Sequence, residues 1–283
     1  MFGFLNVYKP KGITSHDVVS TLRRVTKIKQ IGHTGTLDPF AEGVLPICIG
    51  KATRLIEYLK DDKAYIGTVK LGKSTTTYDT EGETVNTSDK SLALDEIESV
   101  LDIFLGDIEQ TPPMYSAIKV KGKKLYEYAR KGESVDIQPR KVHISKLDIL
   151  NFNSETKELE LYIECSKGTY IRSIANDVGE KLGIYGHLIK LVRVKAGDFK
   201  IEDSTKLEEL NTMEIVVQNL IYPLEYMHYP RYELNEPEYR LILNGNRIRA
   251  NVPDGTIILT TDNKIAAIGE AEDNSIKPQK VFT

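Results

Sequence analysis

The chain has 283 residues, of which 40% are hydrophobic and 28% charged, and its formal net charge is −3. This composition excludes wholesale disorder, and no apolar run approaches the roughly 20 residues that a membrane-spanning helix needs. The overall charge favours no polyanionic partner, but its distribution does: residues 118–141 carry eight Lys/Arg against three acids, residues 1–30 six against one, and residues 201–283 eight against fourteen. Basic segments on an acidic chain suit a localised phosphate-binding face, because each neutralised phosphate releases counterions, although solvated faces look the same.

The start, Met1 to Tyr8, has neither a basic leader nor a long apolar core, so no signal peptide is expected and the location expected is cytoplasmic. Asn6 to Lys9 reads as a strand entering a turn at Pro10 and Gly12. Thr14 or Ser15 can cap the next helix, with Asp17 in its first turn and Val18, Leu22 and Val25 on its apolar face. Gly32-His33-Thr34-Gly35-Thr36-Leu37-Asp38-Pro39-Phe40-Ala41-Glu42-Gly43 can continue neither helix nor strand, and reads as a tight loop left through Val44–Ile49. Asp38 at its centre is either a loop-borne catalytic carboxylate or the side chain that closes an Asp-Pro turn.

Residues 51–60 read as a short helix, Lys63–Gly72 as a strand containing Tyr65, and residues 95–104 as a further helix. From Gln110 to Gly132, prolines give way to tyrosines interleaved with lysines, among them Lys121, Lys123 and Lys124. Aromatic faces stack bases while ammonium groups hold phosphates, so this stretch suits single-stranded RNA, or equally a basic surface helix. Residues 142–149 and 159–165 read as an antiparallel pair, Ser166–Ile174 as the turn into a helix ending near Gly183, and His187–Val194 as another strand. Arg172 falls in that helix's first turn, where the dipole disfavours a cation, so an anionic partner is expected. Beyond about residue 229, short runs around Asn244-Gly245, 256–260 and 264–269 read as strands of a small β-barrel. The two cysteines, Cys48 and Cys165, have no Cys-x-x-Cys partner, and buried thiols are expected.

Four of these blocks resemble the TruB family of tRNA pseudouridine synthases: Lys-Pro-Lys-Gly-Ile-Thr-Ser at 9–15, the Asp38 loop, the lysine–tyrosine block at 63–65, and Cys-Ser-Lys-Gly-Thr-Tyr-Ile-Arg at 165–172. The basic block after Pro113 is similar to the insertion with which that family grips RNA. The chain departs from the family at Phe40 and Glu42, where leucine and threonine are commoner. It departs again at Leu191-Val192-Arg193-Val194, where the family has Leu-Arg-Arg-Thr, and at Ala196-Gly197-Asp198-Phe199.

The resemblance implies an α+β fold with a mixed, largely antiparallel sheet, a catalytic domain over residues 1–229 with an RNA-gripping insertion at about 111–141, and a PUA-like β-barrel over 230–283. It implies isomerisation of uridine to pseudouridine at position 55 in the T loop of tRNA, by a monomer without cofactor or metal. Asp38, Tyr65 and Arg172 are then the catalytic set. His33, Tyr65, Tyr170, Leu191, Lys9, Lys121, Lys123 and Lys124 are the substrate-binding set. Pairing with Arg172 is expected to depress the Asp38 pKa, and the guanidinium fork to grip the carboxylate at two points. Two alternatives stand beside this reading: a non-catalytic tRNA-binding or tRNA-folding protein on the same scaffold, and a guide-RNA-dependent synthase of the same superfamily.

Overall fold

A computed structural model describes residues 1–282. Its larger sheet has ten strands and runs, from edge to edge, through 205–206, Gly3–Lys9, Glu42–Ile49, Gly186–Ala196, Lys63–Leu71, Glu158–Cys165, Arg140–Asn153 and Gly106–Gln110. The short strands Phe199–Lys200 and Ile31–His33 pair off this path. Most neighbours are antiparallel. The 205–206 strand beside Gly3–Lys9 and the 186–196 strand beside Glu42–Ile49 run parallel to their partners. The fold is therefore α+β with a mixed, largely antiparallel sheet.

Local chemistry explains most of the elements. The helix Ser15–Thr26 begins with a capping box, in which the Asp17 amide donates to the Thr14 hydroxyl at 3.1 Å and the Thr14 amide to the Asp17 carboxylate at 2.8 Å. Val18, Val19 and Leu22 on its inner face are buried. The helix Ile171–Lys181 lies on the sheet centre, and its Gly179 lets it approach closely, because a Cβ there would lie 2.1 Å from the Gly186 amide nitrogen. One core holds residues from both helices and the central strands, and both cysteines are buried.

Three sequence expectations change. Residues Gly50–Tyr58 form a 3-10 helix. The helix expected to run to Phe104 is α-helical only over Leu94–Leu101 before tightening into 3-10 geometry. Glu236–Leu243 is a helix and not a strand: Asn235 caps it, Glu238 completes a capping box, Pro sits in its first turn, and Gly245 with φ 77° follows its end. The Asn-Gly signal there marks a helix stop, which uses the same left-handed glycine as a hairpin turn. The remaining C-terminal strands form a second sheet of five, in the order 231–233, Gly255–Thr261, Lys264–Glu272, Ser275–Val281 and 248–249, around its own small core. Apolar residues of the two sheets meet in a shared cluster containing Phe4, Phe199, Met227, Ile258 and Ile268.

Candidate active site

The Asp38 loop connects two strands that pair through Ile31↔Ile49, Gly32↔Cys48 and His33↔Ile47. It forms one wall of a cavity of about 620 Å³, whose other walls come from the 63–65 strand start, residues 115–117, Tyr126, Arg130 and residues 167–172. Asp38 is the one carboxylate among the described residues that line it.

Arg172 is almost wholly buried and sits in the first turn of its helix. Its Nε donates to Asp38 Oδ2 at 2.9 Å, NH1 to the Thr77 carbonyl at 3.1 Å, and NH2 to the Tyr115 carbonyl at 2.9 Å. NH1 also lies 3.4 Å from Asp79 Oδ2. The anionic partner inferred from the helix position is present, but the two-point grip is not: only Nε contacts Asp38. The other guanidinium nitrogens gather two further segments around the carboxylate. Asp79 is itself fixed, accepting from the Thr77 hydroxyl and, at 2.9 Å, from the Glu81 amide.

The expected depression of the Asp38 pKa is reversed. Burial in the cleft pushes its carboxyl above the ordinary value and Asp79 pushes the same way, while Arg172 and Lys9 pull it back without cancelling the rise.

Two more buried cations hold the loop from below. Lys9, expected to contact substrate, is fully buried. Its ammonium donates to the carbonyls of Pro10 at 2.9 Å, Ile13 at 2.8 Å and Pro39 at 3.4 Å. Burial lowers its pKa to about 8. It therefore braces the loop from inside the protein, its ammonium taken up by backbone carbonyls. Arg193 is also fully buried. Its Nε donates to the Val44 carbonyl at 2.6 Å, NH1 to Thr36 at 3.3 Å and NH2 to Gly35 at 3.1 Å. Carbonyls on both sides of Asp38 are thus held by cations that have no carboxylate within salt-bridge reach among the described residues. Gly43, with φ 108°, permits this, since a Cβ there would fall 2.3 Å from the Arg193 carbonyl oxygen.

Tyr65 is buried in the cavity floor, and burial raises its phenol to about 12 against a counter-pull from Arg193. It stays protonated through neutral pH and offers an aromatic face and a hydroxyl. Leu191 and Tyr170 complete the wall. Tyr170 is held by Gln110, whose amide accepts from the Tyr170 N–H at 2.7 Å and donates to its carbonyl at 3.1 Å. His33 does not line the cavity; its Nδ1 is buried without a hydrogen-bond partner, and burial lowers its pKa.

Lys121, Lys123 and Lys124 are also not in the cavity wall. They belong to a small hairpin, with Lys121 at its tip in a left-handed conformation and Lys121 and Lys123 exposed. Lys123 lies 5.8 Å over the Tyr128 ring, and Lys124 and Arg130 each lie 5.4 Å from the Tyr126 centroid. The aromatic–cation interleaving is thus partly satisfied within the protein. It is Tyr126 and Arg130 that reach the cavity.

Asp79, Arg193 and Gln110 were not singled out from sequence. Arg193 carried a usable signal, because it alternates with Leu191 in an apolar strand and so had to share its inward face. Asp79 and Gln110 carried none, lying in polar stretches whose site partners, Arg172 and Tyr170, are 93 and 60 residues away.

Two family models match the chain, TruB family pseudouridylate synthase (N terminal domain) over residues 23–171 and tRNA pseudouridylate synthase B C-terminal domain over residues 172–228. Proteins named tRNA pseudouridine synthase B from Staphylococcus aureus strains Newman and JH9 are 42% identical, with 99% of each chain covered. Among solved structures, an H/ACA ribonucleoprotein bound to a substrate RNA containing 2'-deoxyuridine superposes with a TM-score of 0.74 at 22% identity, covering 100% of this chain and 85% of that one. A Cbf5-Nop10-Gar1 complex does so with a TM-score of 0.74 at 24% identity and the same coverage. At such identities these structures speak for the fold alone.

Proposed function

Because the chain belongs to the TruB family of pseudouridine synthases, we propose that it isomerises uridine to pseudouridine in tRNA, at position 55 of the T loop, with Asp38 as the catalytic carboxylate. The observation that carries this reading is the lone carboxylate: Asp38 stands against Arg172 in a cavity lined by no other acid among the described residues. Hydrolytic cleavage of a glycosidic bond ordinarily uses two carboxyl groups, one of them to activate water or to donate a proton. This cavity supplies one, which suits a reaction that detaches the base and rejoins it without admitting water.

In that reaction the C1′–N1 bond breaks, the uracil turns, C5 bonds to C1′, the C5 proton leaves and N1 gains one. The target base must first leave its stack, at a cost of a few kcal/mol. Stacking on Tyr65 returns about 1–3 kcal/mol. Tyr65, Tyr170 and Leu191 serve as the pocket for the flipped nucleotide, with His33 acting from outside the wall. Asp38, oriented by Arg172 and by the two cations beneath its loop, acts at the ribose.

The hairpin with Lys121, Lys123 and Lys124, together with Tyr126 and Arg130, grips the T arm. This built-in grip favours stand-alone action by a cytoplasmic monomer over dependence on a guide RNA. Retention of a cavity carboxylate argues against a purely binding role, since an anionic ligand gains nothing from it. We assign residues 1–229 to catalysis and 230–283 to a PUA-like RNA-binding unit, on the support of the second sheet's separate core. The test is release of tritium from unmodified tRNA carrying 5-tritiated uridine, by the purified protein alone. Release from the T-loop uridine is expected. Tight binding without release would favour the binding-protein reading, and release only on addition of a guide RNA would favour the other.

A further inference from the structure

The cavity has a second end, and its chemistry is unlike that at Asp38. Lys63 begins the strand Lys63–Leu71 and lines the cavity beside Thr34, Gly35 and Thr36, with Lys167, Gly168 and Thr169 also in the wall. Its ammonium donates to the Asp61 carbonyl at 2.8 Å, which leaves two of its three N–H donors unassigned among the described residues. The two acids that precede it are engaged elsewhere: Asp61 pairs with Lys167 at 2.7 Å and Asp62 with Lys195 at 2.8 Å. Among the described residues, Lys63 is therefore a half-buried cation with no carboxylate in salt-bridge reach, in the wall of a cavity whose one acid is already paired with Arg172.

Gly35 lies directly beside Lys63 in the wall. A Cβ there would lie 3.4 Å from Lys63 Cε and 4.0 Å from both Lys63 Nζ and Arg193 NH1. Lys63 and Tyr65 stand two residues apart on one strand and so face the same side, roughly 7 Å from each other along it. That is about the reach from a nucleotide's base to its own phosphate. A base stacked on Tyr65 would bring its phosphodiester to the ammonium.

We infer that the Lys63 end of the cavity is a phosphate subsite, which takes a phosphodiester flanking the flipped nucleotide and so fixes the ribose in front of Asp38. This rests on the function proposed above and adds to it a ligand group and a residue. Even a half-buried ammonium is costly without a counterion close by, and the substrate's phosphate supplies that charge.

The experiment uses the full chain and T-arm stem-loops that carry a single neutral methylphosphonate on either side of the target uridine. Lys63→Met is compared with Lys63→Arg, after their unfolding midpoints are shown to match that of the wild type. For the wild type, one of the two neutral linkages should weaken binding about tenfold, and Lys63→Met should weaken binding of the all-phosphate RNA by the same factor. The two changes together should cost no more than either alone. The salt slope of binding should fall by about 0.7 in Lys63→Met and stay unchanged in Lys63→Arg. Independent, additive losses or an unchanged salt slope would overturn the subsite. If either variant unfolds early, the linkage scan on the wild type decides instead: equal tolerance of neutral linkages on both sides overturns it. All of these are binding measurements, so a wild type that binds RNA but isomerises nothing would refute the proposed function and leave the subsite standing.

Discussion

Around Asp38, Lys9, Arg172 and Arg193 are buried and direct their donors to carboxylates and backbone carbonyls. On the hairpin at 119–124, Lys121 and Lys123 stand in solvent, Lys123 along the Tyr128 ring, and Lys124 and Arg130 lie over Tyr126. The same residue types thus serve opposite ends. A buried cation with short contacts on several sides fixes geometry and responds little to salt, because solvent ions cannot screen it. An exposed lysine fixes little, keeps its rotamer freedom and attracts phosphates from a distance. Mutations in the first region should therefore damage turnover or folding, and mutations in the second should damage affinity and its salt dependence.

The largest expected effect is that of Asp38→Asn, which should lower turnover by at least about 10³-fold with tRNA affinity near wild type; substantial activity in the purified variant would remove Asp38 from the chemistry. Next comes Arg172→Lys. One ammonium cannot reach Asp38, Asp79, Thr77 and Tyr115 together, so kcat should fall by ~10–100-fold, as expected for the loss of about 1.4–2.8 kcal/mol of organisation. Equal losses in kcat and affinity would mean that Arg172 acts chiefly on RNA.

Arg193→Met tests the buried clamp through stability. Each carbonyl left buried without its donor costs about 1–3 kcal/mol, so the denaturant midpoint should drop clearly, with Arg193→Lys restoring part of it. An unchanged midpoint would show that the loop holds itself.

Replacing Lys121, Lys123 and Lys124 together with Ala should lower the salt slope by up to about 0.7 per phosphate contact on single-stranded RNA, with kcat preserved. A constant slope would place these lysines outside the interface.

The smallest effect concerns pH. Since Asp38 titrates above its usual range, kcat/KM should fall on the acid side at a higher pH than an ordinary carboxylate would give. Removing the Lys9 charge by Lys9→Met should move that limb higher still. The linked stability has the opposite sense. An acid whose folded pKa is raised favours the native state most when protonated, so its contribution declines as pH rises from the unfolded value through the folded one. An acid limb at the ordinary aspartate position would contradict the burial argument.

The comparison also explains which features could be read from the sequence. Asp38, Tyr65, Tyr170 and Leu191 lie in the cavity wall where their blocks were expected, because tight loops and alternating strands write their faces into short stretches of sequence. Lys9, expected to contact substrate, is buried against backbone carbonyls, one of them that of Pro39, 30 residues away, a contact no local pattern encodes. Asp79 and Gln110 act through contacts 93 and 60 residues distant, which no local pattern encodes. The Glu236–Leu243 helix was misread because its Asn-Gly stop uses the same left-handed glycine as a hairpin turn, while its capping signals at Asn235 and Glu238 lie ahead of the runs read as strands.

One feature of the larger sheet bears on how the protein is made. The strand 186–196 lies between Glu42–Ile49 and Lys63–Leu71, so two neighbourhoods adjacent in the chain cannot join until a segment more than a hundred residues later slides between them. Closing so long a loop is slow, and during synthesis it cannot begin until that strand leaves the ribosome. Until then the nascent chain carries Asp38 on an unanchored loop, with neither Arg172 nor Arg193 in place. A growing polypeptide thus holds the Asp38 loop unassembled until residues 186–196 have been translated.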